Sequence, residues 1–298
     1  MVSPTALRRQ LTDQSRAVRT AFGVFDGAVC LGTAVLERDT EQNTHLGEVD
    51  VNVVPEQRRL GLGSRLLTAA LEQADAAGLT TLTGEVNAAD PTSPGLGFAA
   101  AQGFGTVHTE LRLVLDLPVH DDRLDKLSRS TRAAEHGYRV TSWCGPTPKE
   151  HLETLAALRT GMNADVPAGE LDADPEVVTA ASLAARDERL AARGYLSVVG
   201  LATAPDGRAA GYSQVLVHGD DPTNAVQDDT YVLAAHRGRR IGTLLKATVL
   251  AVLQHRAPQV RHLHTWTDEL NSPMQVINAA FGFRPVEVMH QVQRGGRG

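Results

Sequence analysis

Two short stretches combine arginine, glycine and the start of a helix in a way that suits an anion. The first reads Val53-Val54-Pro55-Glu56-Gln57-Arg58-Arg59-Leu60-Gly61-Leu62-Gly63-Ser64, the second Val232-Leu233-Ala234-Ala235-His236-Arg237-Gly238-Arg239-Arg240-Ile241-Gly242-Thr243. In each, an apolar extended segment stops, a loop dense in Gly and Arg follows, and an amphipathic helix begins at once. Such a junction brings unpaired helix N–H groups, the positive end of the helix dipole and flanking guanidinium groups to one point, and that point binds phosphate. Glycine matters there because a Cβ would hold the anion away from the backbone amides. A single such turn is as well explained by an Arg-rich, solvated helix start. Two in matched context favour the anion site.

The match extends well beyond the loops. Gly32 recurs as Gly211, Arg58 as Arg237, Gly63 as Gly242, Leu66 as Leu245, Ser93 as Ser272, Pro94 as Pro273 and Gly103-Phe104 as Gly282-Phe283, all at one offset of 179 residues. Arg, Pro and Phe keep that register as well as Gly and Leu, so the chain reads as two copies of one module. In the first copy, apolar runs at 20–25 and 28–36 flank Asp26-Gly27, which predicts a hairpin. Strict alternation over 47–54 predicts a strand. Leu66, Leu67, Ala70, Leu71 and Ala74 share one face of a helix over 63–77. A strand at 80–86, a short helix ending at Gly103 and a strand at 109–117 follow. The second copy repeats this with strands at 195–202, 211–217, 230–233, 262–267 and 286–292 and helices at 242–253 and 273–281. The expected fold class is α/β (α+β), a mixed sheet with helices packed on it in each copy. The expected domains are 1–118, a polar linker at 119–137 with helical character, and 138–298. About 60 residues of the second copy precede its first strand pair and only about 20 do so in the first. The first copy therefore lacks a front piece.

Composition removes several function classes. The chain has 298 residues, 42% of them hydrophobic, and a net charge of −6 without a long block of one sign, so nucleic acid is a poor default partner. No stretch approaches the ~20 apolar residues of a bilayer span, and four early arginines with no apolar segment behind them do not make a secretory signal. Cys30 and Cys144 stand far apart without ligand-spaced neighbours, so neither a disulfide framework nor a metal site is expected. A cytoplasmic protein, monomeric or homodimeric, fits this reading.

Both loops resemble the Arg/Gln-x-x-Gly-x-Gly/Ala signature of the GNAT superfamily of N-acyltransferases, and the whole chain resembles a tandem GNAT protein. Arg58, Gly61 and Gly63 fill the signature. Arg237 and Gly242 fill it in the second copy, where Arg240 stands in place of the first Gly and Gly238 is left to relieve the loop. The resemblance implies two splayed mixed sheets flanked by helices, with acetyl-CoA as co-substrate. Its pyrophosphate would rest on Arg58, Arg59, Gly61, Gly63 and Ser64, or on Arg237, Gly238, Arg239, Arg240, Gly242 and Thr243. Val53 and Val54, or Val232, Leu233 and Ala234, would offer backbone groups to the pantetheine arm. In many members a Tyr four residues before the Gly-Phe pair protonates the departing thiolate; here Ala99 and Asn278 occupy that position. An Asn that holds the cofactor is matched by Asn271 in the second copy and replaced by Thr92 in the first.

Such chemistry needs an amine to lose a proton, attack a thioester and pass through an oxyanion. Candidate bases are Glu48 and Asp50 in the first copy, Asp228 and Asp229 in the second, and His264 and Glu269 near the strand at 262–267. Asp229 and Glu269 are the expected pair, because the complete front and the two asparagines point to the second copy as the catalytic one. Asp165, Glu170, Asp172 and Asp174 would then face a small cationic amine as acceptor, or simply form a solvated loop feeding a helix at Pro175. Two other readings stand beside this one: a catalytically silent acyl-CoA-binding protein, and a first copy that is active in place of the second.

Overall fold

The computed structural model describes residues 17–88, 90, 92–129, 136–165 and 170–296. They form two compact units. One comprises the described parts of 4–111 with 170–174 and 287–296, the other 112–165 and 175–286.

The first unit opens with the hairpin β1 (Ala17–Asp26) and β2 (Val29–Asp39), continues through β3 (Leu46–Val53), α1 (Leu62–Ala76), β4 (Thr81–Ala88) and α2 (Pro94–Ala101), and enters β5 (Gly105–Asp116). The strand beside β4 comes from the far end of the chain: β11 (Arg284–Gly295) pairs antiparallel with it from Val288↔Ala88 to Gly295↔Thr81. The sheet order is β1-β2-β3-β4-β11. Leu66, Leu67, Ala70 and Ala74 of α1 bury against Ala34, Leu36, Val49 and Leu82, the face their helical spacing predicts. The other face has no covering helices of its own, as the short front implies.

The second unit takes up β5 from Arg112, then α3 (Asp121–Arg129), β6 (Arg139–Cys144), α4 (Leu152–Asp165), α5 (Ala180–Ala192), β7 (Tyr195–Thr203), β8 (Ala209–His218), β9 (Asn224–Val232), α6 (Ile241–Arg256), β10 (His262–Asp268) and α7 (Ser272–Phe281). Its sheet order is β5-β10-β9-β8-β7-β6. Ile241 and Leu245 of α6 pack with Ala202 and Ala210 on one face. Leu155 and Leu158 of α4 and Leu183 of α5 pack with Val199, Leu201 and Tyr212 on the other.

Three features depart from the sequence expectation. The strand at the end of each copy is traded: β11 lies in the first unit, and β5 runs on into the second. Helix α5 begins at Ala180, not Pro175, because Thr179 accepts from the Ser182 amide while the Ser182 hydroxyl accepts from the Thr179 amide, a reciprocal cap. The repeat register also slips once. Ser213 faces Thr230 but Val215 faces Gln227, so β9 carries a bulge that the β2–β3 ladder lacks. The linker expected at 119–137 contains α3, and residues 130–135 of it lie outside the described residues. Among the described residues no helix is long and apolar enough to cross a membrane.

Candidate active site

In the first unit β3 and β4 run parallel but pair only from Leu46↔Thr81 to Glu48↔Thr83. Beyond Glu48 they part, and the gap is a cleft of about 620 Å³. Val49, Val51 and Val53 form one wall, Gly84, Glu85, Val86 and Asn87 the other, and Phe98 and Ala99 of α2 close the helix side. The arginine–glycine loop stands at the mouth. Of the residues expected there, Val53, Arg58, Arg59, Gly61, Gly63 and Ser64 line the cleft, and Val54 is exposed beside it. Gly61 caps α1 with no side-chain hydrogen bond, so the amides of the first helical turn keep no side-chain partner at that end. A Cβ on Gly63 would sit 3.4 Å from the Phe98 ring; this glycine keeps the strip between loop and helix narrow. These are the features a pyrophosphate and its trailing arm require.

The loop of the second unit has the same backbone with its glycine moved. Both loops take a left-handed conformation at two matched positions, Arg59 (φ 65°) and Gly61 (φ 79°) in one, Gly238 (φ 79°) and Arg240 (φ 59°) in the other. Each therefore pays the left-handed cost of about 1–2 kcal/mol at one arginine. In both, the signature arginine donates from Nε to the carbonyl five residues before it, Arg58 to Val53 at 3.0 Å and Arg237 to Val232 at 2.9 Å. The difference lies in what else the guanidinium meets. Arg237 Nη2 donates to Asp165 Oδ2 at 2.7 Å, the Tyr231 hydroxyl donates to the same oxygen at 2.8 Å, and the guanidinium lies 5.8 Å from the Tyr231 ring centre. Asp165, at the end of α4, thus occupies the position an anion would take.

Carboxylates collect on the helix-free face of the first unit. Cross-strand register puts Arg19, Glu37, Glu48 and Thr83 on that face, with Asp50 one pleat along. Arg19 and Glu37 form an ion pair at 2.5 Å. Partial burial, then Glu85, Glu37 and Asp50, hold the Glu48 carboxyl above its ordinary 4.5. Burial and the Asp50 charge do the same for Glu85, which lines the cleft itself. A carboxylate raised in this way and placed at a cleft is suited to take a proton near neutral pH.

The expected bases of the second unit have other company. Asp229 accepts from Arg159 Nη1 at 2.9 Å and from the Tyr212 hydroxyl at 2.8 Å, while Asp228 accepts from Arg186 Nη2 at 2.8 Å. Gln214 bonds the same Arg159 guanidinium. Burial, reinforced by Asp228, pushes the Asp229 carboxyl up, and Arg159 opposes this. Glu269 is exposed in the turn after β10, where its carbonyl accepts from the Gln275 side chain at 2.7 Å. Asn271 caps α7, accepting from the Met274 amide. Asn278 is buried: its Oδ1 accepts from Lys246 Nζ at 2.8 Å and its Nδ2 donates to Thr267 at 3.0 Å. Val232, Leu233 and Ala234 lie at the end of β9 and the turn that follows, and Gly242 and Thr243 open α6. Arg239 donates to the Ala235 carbonyl at 2.7 Å.

The acidic front segment divides. Asp165 holds Arg237, but Glu170, Asp172 and Asp174 belong to the first unit. There Asp172 accepts from Thr81 at 2.6 Å and its amide donates to Gln293 at 2.8 Å, while the Asp174 amide donates to Asn43 at 2.8 Å. They serve as a strap on that unit and do not line a pocket of the second. Glu85, Asn87, Phe98 and Val292 line the cleft without having been singled out by the sequence. The offset comparison held the signal for Asn87 and Glu85, since they follow the strand that flanks the loop; nothing local marks Val292.

The sequence model of the Acetyltransferase (GNAT) family matches residues 3–104 and 164–283. No curated protein sequence matches the chain. Among solved structures, a tandem GNAT protein from the clavulanic acid biosynthesis pathway, determined without AcCoA, is 29% identical with a TM-score of 0.75, over 95% of this chain and 84% of that one. A GCN5-related N-acetyltransferase from Sphaerobacter thermophilus is 17% identical with a TM-score of 0.69, over 99% of this chain and 87% of that one. Two matched halves, each built on a parted parallel strand pair and an arginine–glycine loop, agree with these likenesses: the chain belongs to the GNAT family of acetyltransferases and is a tandem of two such modules.

Proposed function

We propose that the chain is an acyl-CoA-dependent N-acyltransferase whose first unit holds the donor and carries out the transfer to an amine. The observation that carries this reading is the cleft between β3 and β4, which has the glycine-capped loop at its mouth and a carboxylate of raised pKa in its wall. The donor supplies a thioester. The Arg58–Ser64 loop would take its pyrophosphate on amides and guanidinium groups, and the edge of β3 from Val51 to Val53 would offer peptide groups to its arm. Glu85, with Glu48 and Asp50 on the same face, attracts a cationic amine and removes one proton from it. The amine nitrogen forms a bond to the thioester carbon, the C–S bond breaks, and the thiolate takes its proton from water, because Ala99 has none to give.

The second unit supports this role less well, since Asp165 neutralises Arg237 and the Arg159–Asp229 network fills the sheet face packed by α4 and α5. A silent acyl-CoA-binding protein is the alternative, favoured by the absence of a tyrosine at Ala99 and Asn278. Free-thiol release from acetyl-CoA with polyamines and aminoglycosides separates the two. Turnover that Glu85→Gln lowers at least tenfold supports the enzyme, and coenzyme binding with no turnover across the panel supports the silent protein. Arg58→Glu is expected to weaken coenzyme A at least tenfold and Arg237→Glu by less than about threefold, a like-charge substitution at the anion site being the severe one.

A further inference from the structure

The cleft of the first unit has two chemically different ends. Its helix-free side carries the carboxylates, whereas its base, on the side of α1 and α2, is made by Val49, Leu67, Ala99, Phe104 and Val292. These five are at most 8% exposed, yet each of them still lines the cleft. From Val53 at the loop to Val49 at the base is four strand residues, about 13 Å, so an extended arm anchored at the loop brings its reacting end down to these side chains. Gly84 lets the strands close there: a Cβ on it would lie 2.9 Å from the Val49 carbonyl. Ala99 leaves the helix side open. At the matched position of the second unit Asn278 and Lys246 fill the space with a hydrogen bond, where the first unit has Ala99 and Leu67. An acetyl methyl would leave this apolar base without contacts, and apolar space of this kind favours hydrocarbon over water.

We infer that the first unit selects a donor with a saturated acyl chain of about four to eight carbons, whose tail lies between Leu67, Ala99, Phe104 and Val292. This rests on the reading of the cleft as the acyl-CoA site and adds the class of donor. Each buried methylene tightens binding roughly fourfold. The test is calorimetric titration of the full chain with coenzyme A and with its acetyl, butyryl, hexanoyl and octanoyl thioesters. Hexanoyl-CoA is expected to bind at least tenfold tighter than acetyl-CoA. Ala99→Leu should remove most of that gain while leaving coenzyme A itself within about twofold, and the milder Ala99→Val should remove part of it, which keeps the test open if the larger side chain disturbs folding. Coenzyme A binding with affinity flat or falling along the series overturns the donor class and leaves the cleft assignment standing. A gain that neither Ala99 variant alters places the tail elsewhere and also overturns it. No binding of any member refutes both.

Discussion

Lys246→Leu puts into α6 the residue that the first copy carries at the matched position, Leu67. Lys246 is buried, with Asn278 Oδ1 at 2.8 Å and the Phe283 ring centre at 5.2 Å. Burial lowers its ammonium from an ordinary 10.5 to about 7. Between those two values the unfolded chain binds the proton and the folded chain does not, so stability rises with pH from about 7 towards 10.5, and below 7 the penalty is constant. At 1.36 kcal/mol per pH unit the penalty is about 4 kcal/mol at pH 7, about 3 kcal/mol at pH 8 and under about 1 kcal/mol at pH 10. Leucine has no proton to lose but leaves Asn278 Oδ1 without this partner, which costs about 1–3 kcal/mol. The variant is therefore expected to be the more stable protein at pH 7 by about 1–3 kcal/mol, with the advantage vanishing at about pH 9. Both tryptophans, Trp143 and Trp266, lie in the second unit, so urea unfolding followed by their fluorescence at pH 7, 8, 9 and 10 reports on the unit concerned. A difference between the two proteins that does not change with pH would refute the reasoning, because it would mean that Lys246 ionises as a solvated amine does.

Other expectations concern the two loops and the proposed base. Asp165→Ala releases Arg237 from an ion pair exposed enough to contribute about 1 kcal/mol or less, so coenzyme A affinity at the second loop should rise only several-fold; calorimetric stoichiometry checks this, and an unchanged isotherm contradicts it. Gly61→Ala forces a Cβ into a left-handed backbone at φ 79° and is expected to cost about 1–2 kcal/mol of stability, read as a lowered Tm, together with weakened coenzyme A binding. Glu85 must be ionised to accept a proton, and its pKa is raised; kcat/KM should therefore fall on the acid side at a higher pH than an ordinary carboxylate gives, and Glu85→Gln should remove that limb from the pH profile.

What the sequence made legible is local. The hairpin at Asp26-Gly27, the helical stripe from Leu66 to Ala74 and the two arginine–glycine loops each depend on residues close together in the chain, and their periodicity and turn chemistry survive folding. The site features that escaped depend on partners far away. Val292 reaches the cleft because β11 pairs with β4, about 200 residues earlier, and no periodicity records a strand exchange. Asp229 is a plausible base until Arg159, 70 residues before it, arrives from α4. The bulge in β9 is equally silent, since one extra residue in Gln227-Asp228-Asp229-Thr230 is absorbed before the loop and leaves the 179-residue offset intact on both sides. Lys246 lies on a helix whose apolar stripe predicts burial, yet its partner Asn278 comes from α7.

The most direct test is a crystal structure of the full chain soaked with acetyl-CoA. Density for the pyrophosphate within hydrogen-bonding reach of the Leu62 and Gly63 amides, with the arm between β3 and β4, is the expected result. Density confined to the Arg237–Thr243 loop, with Asp165 displaced and the first unit's cleft empty, would contradict the account.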